Sequence, residues 1–413
     1  MRLVIMAGRL LLVVWMALST TVQARASEVL HLLTNIAPPY QEMVNGELGG
    51  TSLRALDCIM DRLDQRYEVD LAPWLRAREQ VRQGAVAGIF SVAPDPEGPR
   101  DGHLSLPLAL ERWVWVTPAG IRLVKMDLHQ RRRIAAVLGS NQLKWLRGQG
   151  RDVDGMARTS TQLLRMLAAG RVEAVLMDQA ELLSAIKQAG ADPAQFQVSF
   201  QRYMPLGVYF AAPFLRSNPH FLERFNGEIG HCAAANMVLT ASERGLALAV
   251  ARQVHDRLLT EPSLLPALKA AGRLNADKPV SRIVEEDQIF QSHRAAADHS
   301  LVWSLRDHPL STALARLRAA TGGVVSEILL FDNAGVAVAA DPLPSDLWQA
   351  DEAKYAMTVA KGADTIFVDN IAFDQSTGQF NVQVSFAIAG DKPGSVLGGV
   401  TIGLDIERTL NRH

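Results

Sequence analysis

The stretch VRQGAVAGIFSVAPDPEGPR, residues 81–100, decides how the rest of the chain is interpreted. A helix ending at Gly84 leads into an apolar strand that contains Ser91, and a turn rich in Pro and Asp then closes on Arg100. Loops at the carboxyl ends of strands are where α/β sheets bind ligands, and a guanidinium suits bidentate capture of a carboxylate. The stretch therefore predicts a ligand carboxylate at Arg100, with a solvated surface arginine as the alternative.

The composition indicates an ordinary globular chain. With 413 residues it is long enough for two or three domains, and a formal net charge of -1 provides no basic field for nucleic acid. The ten histidines show no metal-ligand spacing, and the sequence contains no phosphate loop or nucleophile elbow. It therefore predicts neither a metal nor a cofactor.

The first 26 residues have the composition of an export signal. Arg2 and Arg9 form a basic n-region, residues 10–18 are an apolar core too short to span a bilayer, and residues 24–26 form an Ala-Arg-Ala cleavage site. We therefore expect cleavage after Ala26 and a mature protein in the periplasm.

The two cysteines, Cys58 and Cys232, lie in two separate helical stretches. An oxidising compartment favours a bridge between them, whereas two small buried thiols fit the same helices equally well. The sequence leaves both alternatives open.

Strands and helices alternate between residues 28 and 92, which is typical of parallel βαβ units. The first strand, over residues 28–35, is followed by Pro-Pro-Tyr40, and the second, over residues 67–71, is followed by Pro-Trp74. Because proline cannot continue a strand ladder, both aromatics are predicted to stand on stiff loops at one rim of the sheet. Tyr40 is thus a candidate ligand contact, with simple hydrophobic cover as the alternative.

A second α/β unit begins near residue 133. Its first strand runs into Gly-Ser140-Asn141 at a helix start, where free N–H groups and a hydroxyl are available to an anion. A plain helix cap accounts for the same residues. The strand over residues 172–177 delivers Asp178, which predicts either a partner for a ligand ammonium or another helix cap.

Crossings near residues 117–118 and 203–205 would join two α/β lobes that close over a ligand. The motifs PPY, PW, GIFSVAPDPEGPR, VLGSN and VEAVLMD occur in that order over residues 27–250. In order and spacing they resemble the type 2 periplasmic solute-binding proteins of the polar amino-acid uptake group, also called family 3. The resemblance implies the α/β two-lobe periplasmic-binding-protein fold, with lobe 1 over residues 27–117 and 206–250 and lobe 2 over residues 118–205.

The resemblance also implies roles for individual residues. In that family an arginine holds the ligand carboxylate, a hydroxyl at the second-lobe helix start assists it, an acidic residue takes the α-ammonium and aromatics cover the side chain. The matching positions, with their neighbours on the same elements, are Arg100, Ser140, Asn141, Asp178, Tyr40, Trp74 and Ser91. Ala93 and Pro94 stand where family members often place a Ser or Thr ligand, so an amino-acid ligand stays open while a carboxylate is still predicted.

The remainder of the chain changes in pattern. Residues 251–300 are predicted to form a helical linker, and apolar and polar residues alternate from Phe380 to Ile388, as in an antiparallel sheet. The helical lead-in, SEILLFDNAGVAVAADPLPSDLWQADEAKY and the strands ending in GGVTIGLDIE resemble the extracytoplasmic Cache or PDC sensor domains. That resemblance implies an α+β PAS-like domain over residues 301–413 and a hairpin turn at Asp332 and Gly335.

In the Cache-like domain, the resemblance places Trp348, Asp351 and Tyr355 in the segment that lines the family's ligand pocket. Ordinary core and turn roles are the alternative for all three.

These observations predict a periplasmic binding protein that captures a small carboxylate-bearing, amino-acid-like solute. Its partner would be an ABC permease in uptake, or a membrane sensor kinase or chemoreceptor in signalling. A dehydratase-like enzyme on the same two-lobe fold is the rival, for which the loops offer Asp178, Glu97 and His103 but no obvious acid–base pair. A third hypothesis is that the Cache-like domain is the ligand sensor and that the two lobes before it are degenerate and no longer bind ligand.

Overall fold

The structure is a computed structural model that describes residues 29–94, 101–121, 132–374 and 377–412. The predicted export signal and the predicted carboxylate ligand Arg100 lie outside the described residues.

Strands and helices alternate in the first part of the chain. The elements are β1 (Leu30–Thr34), β2 (Glu42–Val44), β3 (Glu47–Gly49), α1 (Thr51–Arg62), β4 (Tyr67–Leu71), α2 (Trp74–Arg82), β5 (Gly88–Val92), β6 (Gly102–Leu104), β7 (Ala109–Pro118), β8 (Ile134–Val137), α3 (Asn141–Gly148), β9 (Gly155–Ala157), α4 (Ser160–Ala168), β10 (Ala174–Asp178), α5 (Gln179–Ala189), β11 (Phe196–Ala211), α6 (Ala212–Ser217) and α7 (Phe221–Cys232).

Nine of the eleven described strands of this part form one sheet, in the order β4-β1-β5-β11-β7-β10-β8-β9 with β6 pairing to β11 beside that path. The other two, β2 and β3, form a separate antiparallel hairpin. The strands β4, β1 and β5 are parallel to one another, as are β10, β8 and β9. By contrast, β11 runs antiparallel to β5 and to β7, and β7 runs antiparallel to β10. Two parallel α/β units are therefore joined through the antiparallel pair β7 and β11. The unit of β4, β1 and β5 is called lobe 1 below, and the unit of β10, β8 and β9 is called lobe 2.

The long strands β7 and β11 are also where the chain passes between the lobes. Residues 207–210 of β11 pair with β5 in lobe 1, while residues 113–116 of β7 pair with β10 in lobe 2. The predicted second crossing, near residues 203–205, comes just before the residues of β11 that pair with β5. The first crossing lies earlier than the predicted residues 117–118, because residues 113–116 of β7 already pair with β10 in lobe 2.

The two cysteines form a disulfide, with Cα atoms 5.6 Å apart, that joins α1 to the end of α7. Of the two alternatives left open by the sequence, the structure contains the bridge and not two free thiols. Helix α1 turns Ala55, Leu56 and Ile59 into the core of lobe 1, and the disulfide holds α7 beside it.

The second part of the chain is a group of helices followed by a second sheet. The elements are α8 (Ala241–Leu259), α9 (Leu264–Asn275), α10 (Val280–His293), α11 (Ser300–Arg306), α12 (Pro309–Ala319), β12 (Val325–Asp332), β13 (Ala337–Asp341), α13 (Ala353–Ala356), β14 (Ile366–Val368), β15 (Ala372–Asp374), β16 (Gln379–Ala389), β17 (Val396–Asp405) and α14 (Ile406–Leu410).

The second sheet has the order β13-β12-β17-β16-β14, with β15 also pairing to β16, and every pairing is antiparallel. The alternation predicted for residues 380–388 is confirmed in the first half of β16, where Phe380, Val382 and Val384 are buried between half-buried polar residues. It is wrong for the second half, where Ser385 and Ala387 are buried as well. The predicted hairpin turn is confirmed as well. Asp332 Oδ1 accepts the backbone N–H of Val336 at 2.9 Å between β12 and β13.

The two parts share one hydrophobic core. A single cluster of buried side chains runs from Leu56 and Phe225 in lobe 1 to Val384 and Ile402 in the second sheet, by way of α8 and α9. His255 of α8 stacks on Phe386 with ring centroids 4.4 Å apart. The segment predicted as a helical linker therefore contributes to this core through α8 and α9, whereas Ile283 and Phe290 of α10 pack with β12 in a separate cluster.

In the part of the chain that the structure describes, none of the helices combines the length and the apolar composition that a membrane span requires.

Replacing Cys58 and Cys232 with serine is expected to lower the free energy of unfolding. The bridge spans 174 residues, and closing so long a loop restricts the unfolded chain by about 5 kcal/mol in the chain-entropy model. Equilibrium denaturation of the wild type and the double variant, each with and without a reductant, measures the effect. Reductant should lower the wild-type midpoint and leave the variant unchanged, and an equal response in both proteins would contradict the bridge.

Candidate functional site

The lobes meet at a hydrogen bond between two residues predicted to bind ligand. Tyr40 lies on the loop after β1 in lobe 1 and is 6% exposed. Its hydroxyl donates to Asp178 Oδ2 at 2.7 Å and is also 3.0 Å from the carbonyl oxygen of Leu110. Its ring packs against Ala109 and Leu206 at the crossing. Burial is the largest cause that raises the pKa of Tyr40, and the negative charge of Asp178 is the second. The phenol therefore keeps its proton and acts as the donor.

Asp178 is the last residue of β10, and its two carboxylate oxygens make different contacts. Its Oδ1 accepts the backbone N–H of Ala180 at 3.1 Å, which caps α5, and the backbone N–H of Arg112 at 3.2 Å. Its Oδ2 faces Tyr40 in the other lobe. Burial raises the pKa of Asp178 to about 6, even though these hydrogen bonds act to lower it. The cap predicted from the sequence is present, and one oxygen remains directed at the lobe junction.

Glu111 is a site residue that the sequence reasoning missed. It lies on β7 at the crossing, where its Oε2 accepts Trp113 Nε1 at 2.6 Å and its Oε1 accepts Asn141 Nδ2 at 3.1 Å. Burial, followed by the charge of Asp178, raises the pKa of Glu111 to about 8. An acidic residue inside the apolar run ALERWVWV was the signal that could have revealed it.

The helix start predicted at residues 140–141 adjoins this pair of carboxyls. Ser140 caps α3 by accepting the backbone N–H of Leu143 at 3.2 Å. Asn141, the first residue of α3, donates to Glu111. The structure therefore brings four of the predicted residues and Glu111 to one junction.

The other two lobe-1 candidates have different surroundings. Ser91 is a bulge residue on β5 with a φ of 57°, and its hydroxyl donates to Ser52 Oγ at 2.8 Å. Trp74 begins α2 and packs with Ala77 and Val81 in a cluster separate from that of Tyr40. The structure does not bring Trp74 into the junction.

Two of the three candidates from the Cache-like domain, Trp348 and Tyr355, contact the hairpin turn between β12 and β13. Trp348 Nε1 donates to the carbonyl of Ala334 at 3.1 Å, and the Tyr355 hydroxyl donates to the carbonyl of Asn333 at 2.8 Å. Asp351 is exposed. These contacts match the turn role that the sequence left as the alternative for the first two.

The face of β7 opposite the junction leads towards the second sheet. Arg112 Nε lies 3.0 Å from Glu243 Oε1, and its guanidinium lies 5.7 Å from the ring centroid of Tyr203. The Tyr203 hydroxyl also donates to Glu243, at 2.8 Å. The backbone N–H of Tyr203 in turn donates to Glu407 Oε1 of α14 at 2.6 Å. A hydrogen-bonded and ion-paired route therefore connects the crossing to the end of the second sheet.

No group of three or more His, Cys, Asp or Glu side chains within the described ranges is placed to hold a metal ion.

Comparison with known proteins finds likeness in structure only. No protein-family model matches the chain, and no curated protein matches it. A histidine kinase sensor domain with similarity to periplasmic binding proteins is 16% identical, with a TM-score of 0.41, over 50% of this chain and 90% of its own. The GluR0 ligand-binding core in complex with L-glutamate is 17% identical, with a TM-score of 0.40, over 50% and 93%.

An ancestral arginine-binding protein bound to arginine is 20% identical, with a TM-score of 0.37, over 49% of this chain and 91% of its own. Each match covers about half of this chain. At these TM-scores the likeness carries no functional inference, and the function must be inferred from the residues of the junction.

The raised pKa of Glu111 predicts a pH-dependent stability. Its folded-state pKa of about 8 exceeds its ordinary value of 4.5, so between these pH values the folded protein keeps a proton that the unfolded chain has released. Stability is therefore fullest below pH 4.5 and falls as the pH rises through about 8. Asp178 acts in the same direction up to its pKa of about 6.

Denaturant titrations at about pH 5 and pH 8 test this dependence. We expect Glu111→Gln to flatten the fall in stability, because the amide has no proton to lose. The exposed Glu47→Gln is the matched control and should keep the wild-type dependence. An unaltered fall in Glu111→Gln would show that Glu111 titrates normally.

Proposed function

We propose that this chain is a two-lobe binding protein whose lobe junction captures a small amino-acid-like solute carrying a carboxylate and an ammonium group. The observation that carries the proposal is the hydrogen bond from Tyr40 to Asp178 across the lobes. It joins the two residues for which the sequence independently suggested ligand contact. Each becomes available to a ligand when the lobes move apart.

In the proposed complex, Asp178 Oδ2 exchanges the phenol of Tyr40 for the ligand ammonium. A carboxylate that keeps two backbone N–H donors on its other oxygen is already oriented for this role. The ligand carboxylate pairs with Arg100 and lies near the amino end of α3, where Ser140 and Asn141 begin the helix. Tyr40 then covers the ligand from lobe 1.

We further propose that the protein acts in the periplasm and that the second sheet belongs to a Cache-like, PAS-like sensor domain. The helical lead-in and the antiparallel sheet with a main path of five strands support that assignment. The shared core between lobe 1 and this domain favours signalling to a membrane sensor kinase or chemoreceptor. Delivery to an ABC permease is the other role of such a binding protein.

One observation favours a second candidate, a dehydratase-like enzyme. Asp178 is buried and Glu111 is partly buried, both carboxyls have raised pKa values, and such a pair at one junction is able to serve as acid and base. Incubating the protein with each ligand it binds, followed by chromatography, separates the two candidates. Binding alone returns the ligand unchanged, whereas turnover yields product in amounts above that of the protein.

A thermal-shift screen of the full chain against amino acids and small carboxylates is expected to identify a stabilising ligand. For that ligand, Arg100→Ala and Asp178→Asn should each weaken binding about 30-fold or more in calorimetry. Removing one partner of a buried charge pair costs about 2–5 kcal/mol, and each 1.4 kcal/mol is about tenfold. The exposed Arg252→Ala is the control and should bind normally.

A loss below about fivefold in both variants would contradict a site at the lobe junction. If Tyr355→Phe weakened binding instead, the Cache-like domain would be the receptor. Full-length variants are needed because a truncation after α9 would expose the core that lobe 1 shares with the second sheet.

Signalling through Arg112 can be tested separately from binding. Ligand is expected to change amide hydrogen exchange in β16 and β17, which α8 contacts. Arg112→Gln loses the ion pair to Glu243 but keeps the backbone N–H that binds Asp178, so it should still bind ligand. Arg112→Gln should reduce the ligand-induced change in amide exchange of β16 and β17. The reduction should correspond to a loss of about 1 kcal/mol of coupling free energy between the junction and the second sheet. The control is Arg252→Gln on α8, and an undiminished change in Arg112→Gln would rule out this route.

A further inference from the structure

The register of β7 against β10 sets two carboxyls on one face of the sheet. Side chains alternate along a strand, so Ala109, Glu111 and Trp113 share a face, and Tyr40 packs on the first of them. Asp178 pairs directly with Trp113 across the strands and therefore lies on that same face. Glu111 is its diagonal neighbour, a relation in which residues lie about 7–8 Å apart. A small ligand beneath Tyr40 would reach both carboxyls.

The groups that satisfy these carboxyls are all neutral. Asp178 accepts the phenol of Tyr40 and two backbone N–H groups. Glu111 accepts the Trp113 indole and the Asn141 amide. Every one of these donors supplies a hydrogen bond without a positive charge.

The two arginines of the crossing are engaged elsewhere. Arg112 points to the other face and pairs with Glu243. Arg202 lies over the rings of Trp113 and Trp145, 5.8 and 5.9 Å from their centroids. Within the described ranges, neither guanidinium hydrogen-bonds to Glu111 or Asp178. The two carboxyls therefore have no cationic partner in the protein's described part.

We propose that Glu111 is the specificity-determining residue of the junction and that it selects an amino acid with a cationic side chain. This inference rests on the proposed binding function, in which Asp178 takes the α-ammonium. A buried carboxylate is costly unless a positive charge accompanies it, and a ligand side chain that ends in an ammonium or guanidinium supplies that charge at Glu111. Glu181, in the first turn of α5, adds negative potential at both carboxyls and favours the same class.

The competing chemistry is a Glu111 that keeps its proton when the ligand is bound and donates a hydrogen bond to a ligand oxygen. A protein of that kind would prefer a neutral or acidic side chain, so the sign of the side-chain preference separates the two.

Calorimetry on the full chain at pH 7 provides the test. The probes are L-arginine, L-lysine and L-ornithine, each against a neutral partner of similar size, L-citrulline, L-norleucine and L-glutamine. The wild type should bind the cationic member of each pair about 30-fold or more tightly, as for a buried charge pair. Glu111→Gln should bring each pair to within about threefold while it keeps the affinity for the neutral member. Glu47→Gln should behave as the wild type.

Preference of the wild type for the neutral probes would overturn the assignment of Glu111 and leave the binding function standing. The same holds if Glu111→Gln retained the full cationic preference. Failure of the wild type to bind any amino acid would overturn both the inference and the function on which it rests. The wild-type affinities alone show whether a cationic or a neutral side chain is preferred, so the test remains valid if the variant does not fold.

Discussion

The antiparallel pairing of β7 with β11 is the constraint on which the rest of the structure depends. Its register joins the two lobes into one sheet, and its alternation sends neighbouring residues in opposite directions. Glu111 faces the lobe junction with Asp178, whereas the next residue, Arg112, faces Glu243 and Tyr203. A shift of the register by one residue would exchange these two faces. The lobe junction and the contact with the second sheet are thus set by the same few residues.

This arrangement gives the second sheet a direct mechanical connection to the lobe junction. A movement of the lobes must bend β7 and β11 where these strands pass from one lobe to the other. Tyr203 lies at this crossing, where its backbone N–H is hydrogen-bonded to Glu407 and its ring packs on Phe380 of β16. Helix α8 begins with the capping box of Thr240 and Glu243, the residue that holds Arg112, and continues into the shared core. Since packed cores change between discrete arrangements rather than deforming smoothly, a small change at the crossing can be transmitted to the second sheet.

The sequence predicts local features well and distant pairings poorly. The alternation in the first half of β16 and the cap at Asp178 follow from the pattern of a few neighbouring residues, and the structure contains both. The hairpin at Asp332, which the family resemblance implied, is also present. The role of Glu111 could not be found in this way, because it depends on β7 pairing with β10, some sixty residues later. The first crossing was misplaced for a related reason. Pro118 marks the end of a strand, but only the pairing partner shows which lobe that end belongs to.

Closure of the two lobes over a ligand is the central claim, and an inter-lobe distance measures it most directly. Spin labels at Leu75→Cys on α2 and Leu183→Cys on α5 would report it, since both positions are exposed and the native cysteines are paired with each other. Pulsed electron paramagnetic resonance without ligand and at saturation gives the two distance distributions. Ligand-induced closure predicts a shifted and narrower distribution at saturation, and an unchanged distribution with ligand demonstrably bound would contradict it.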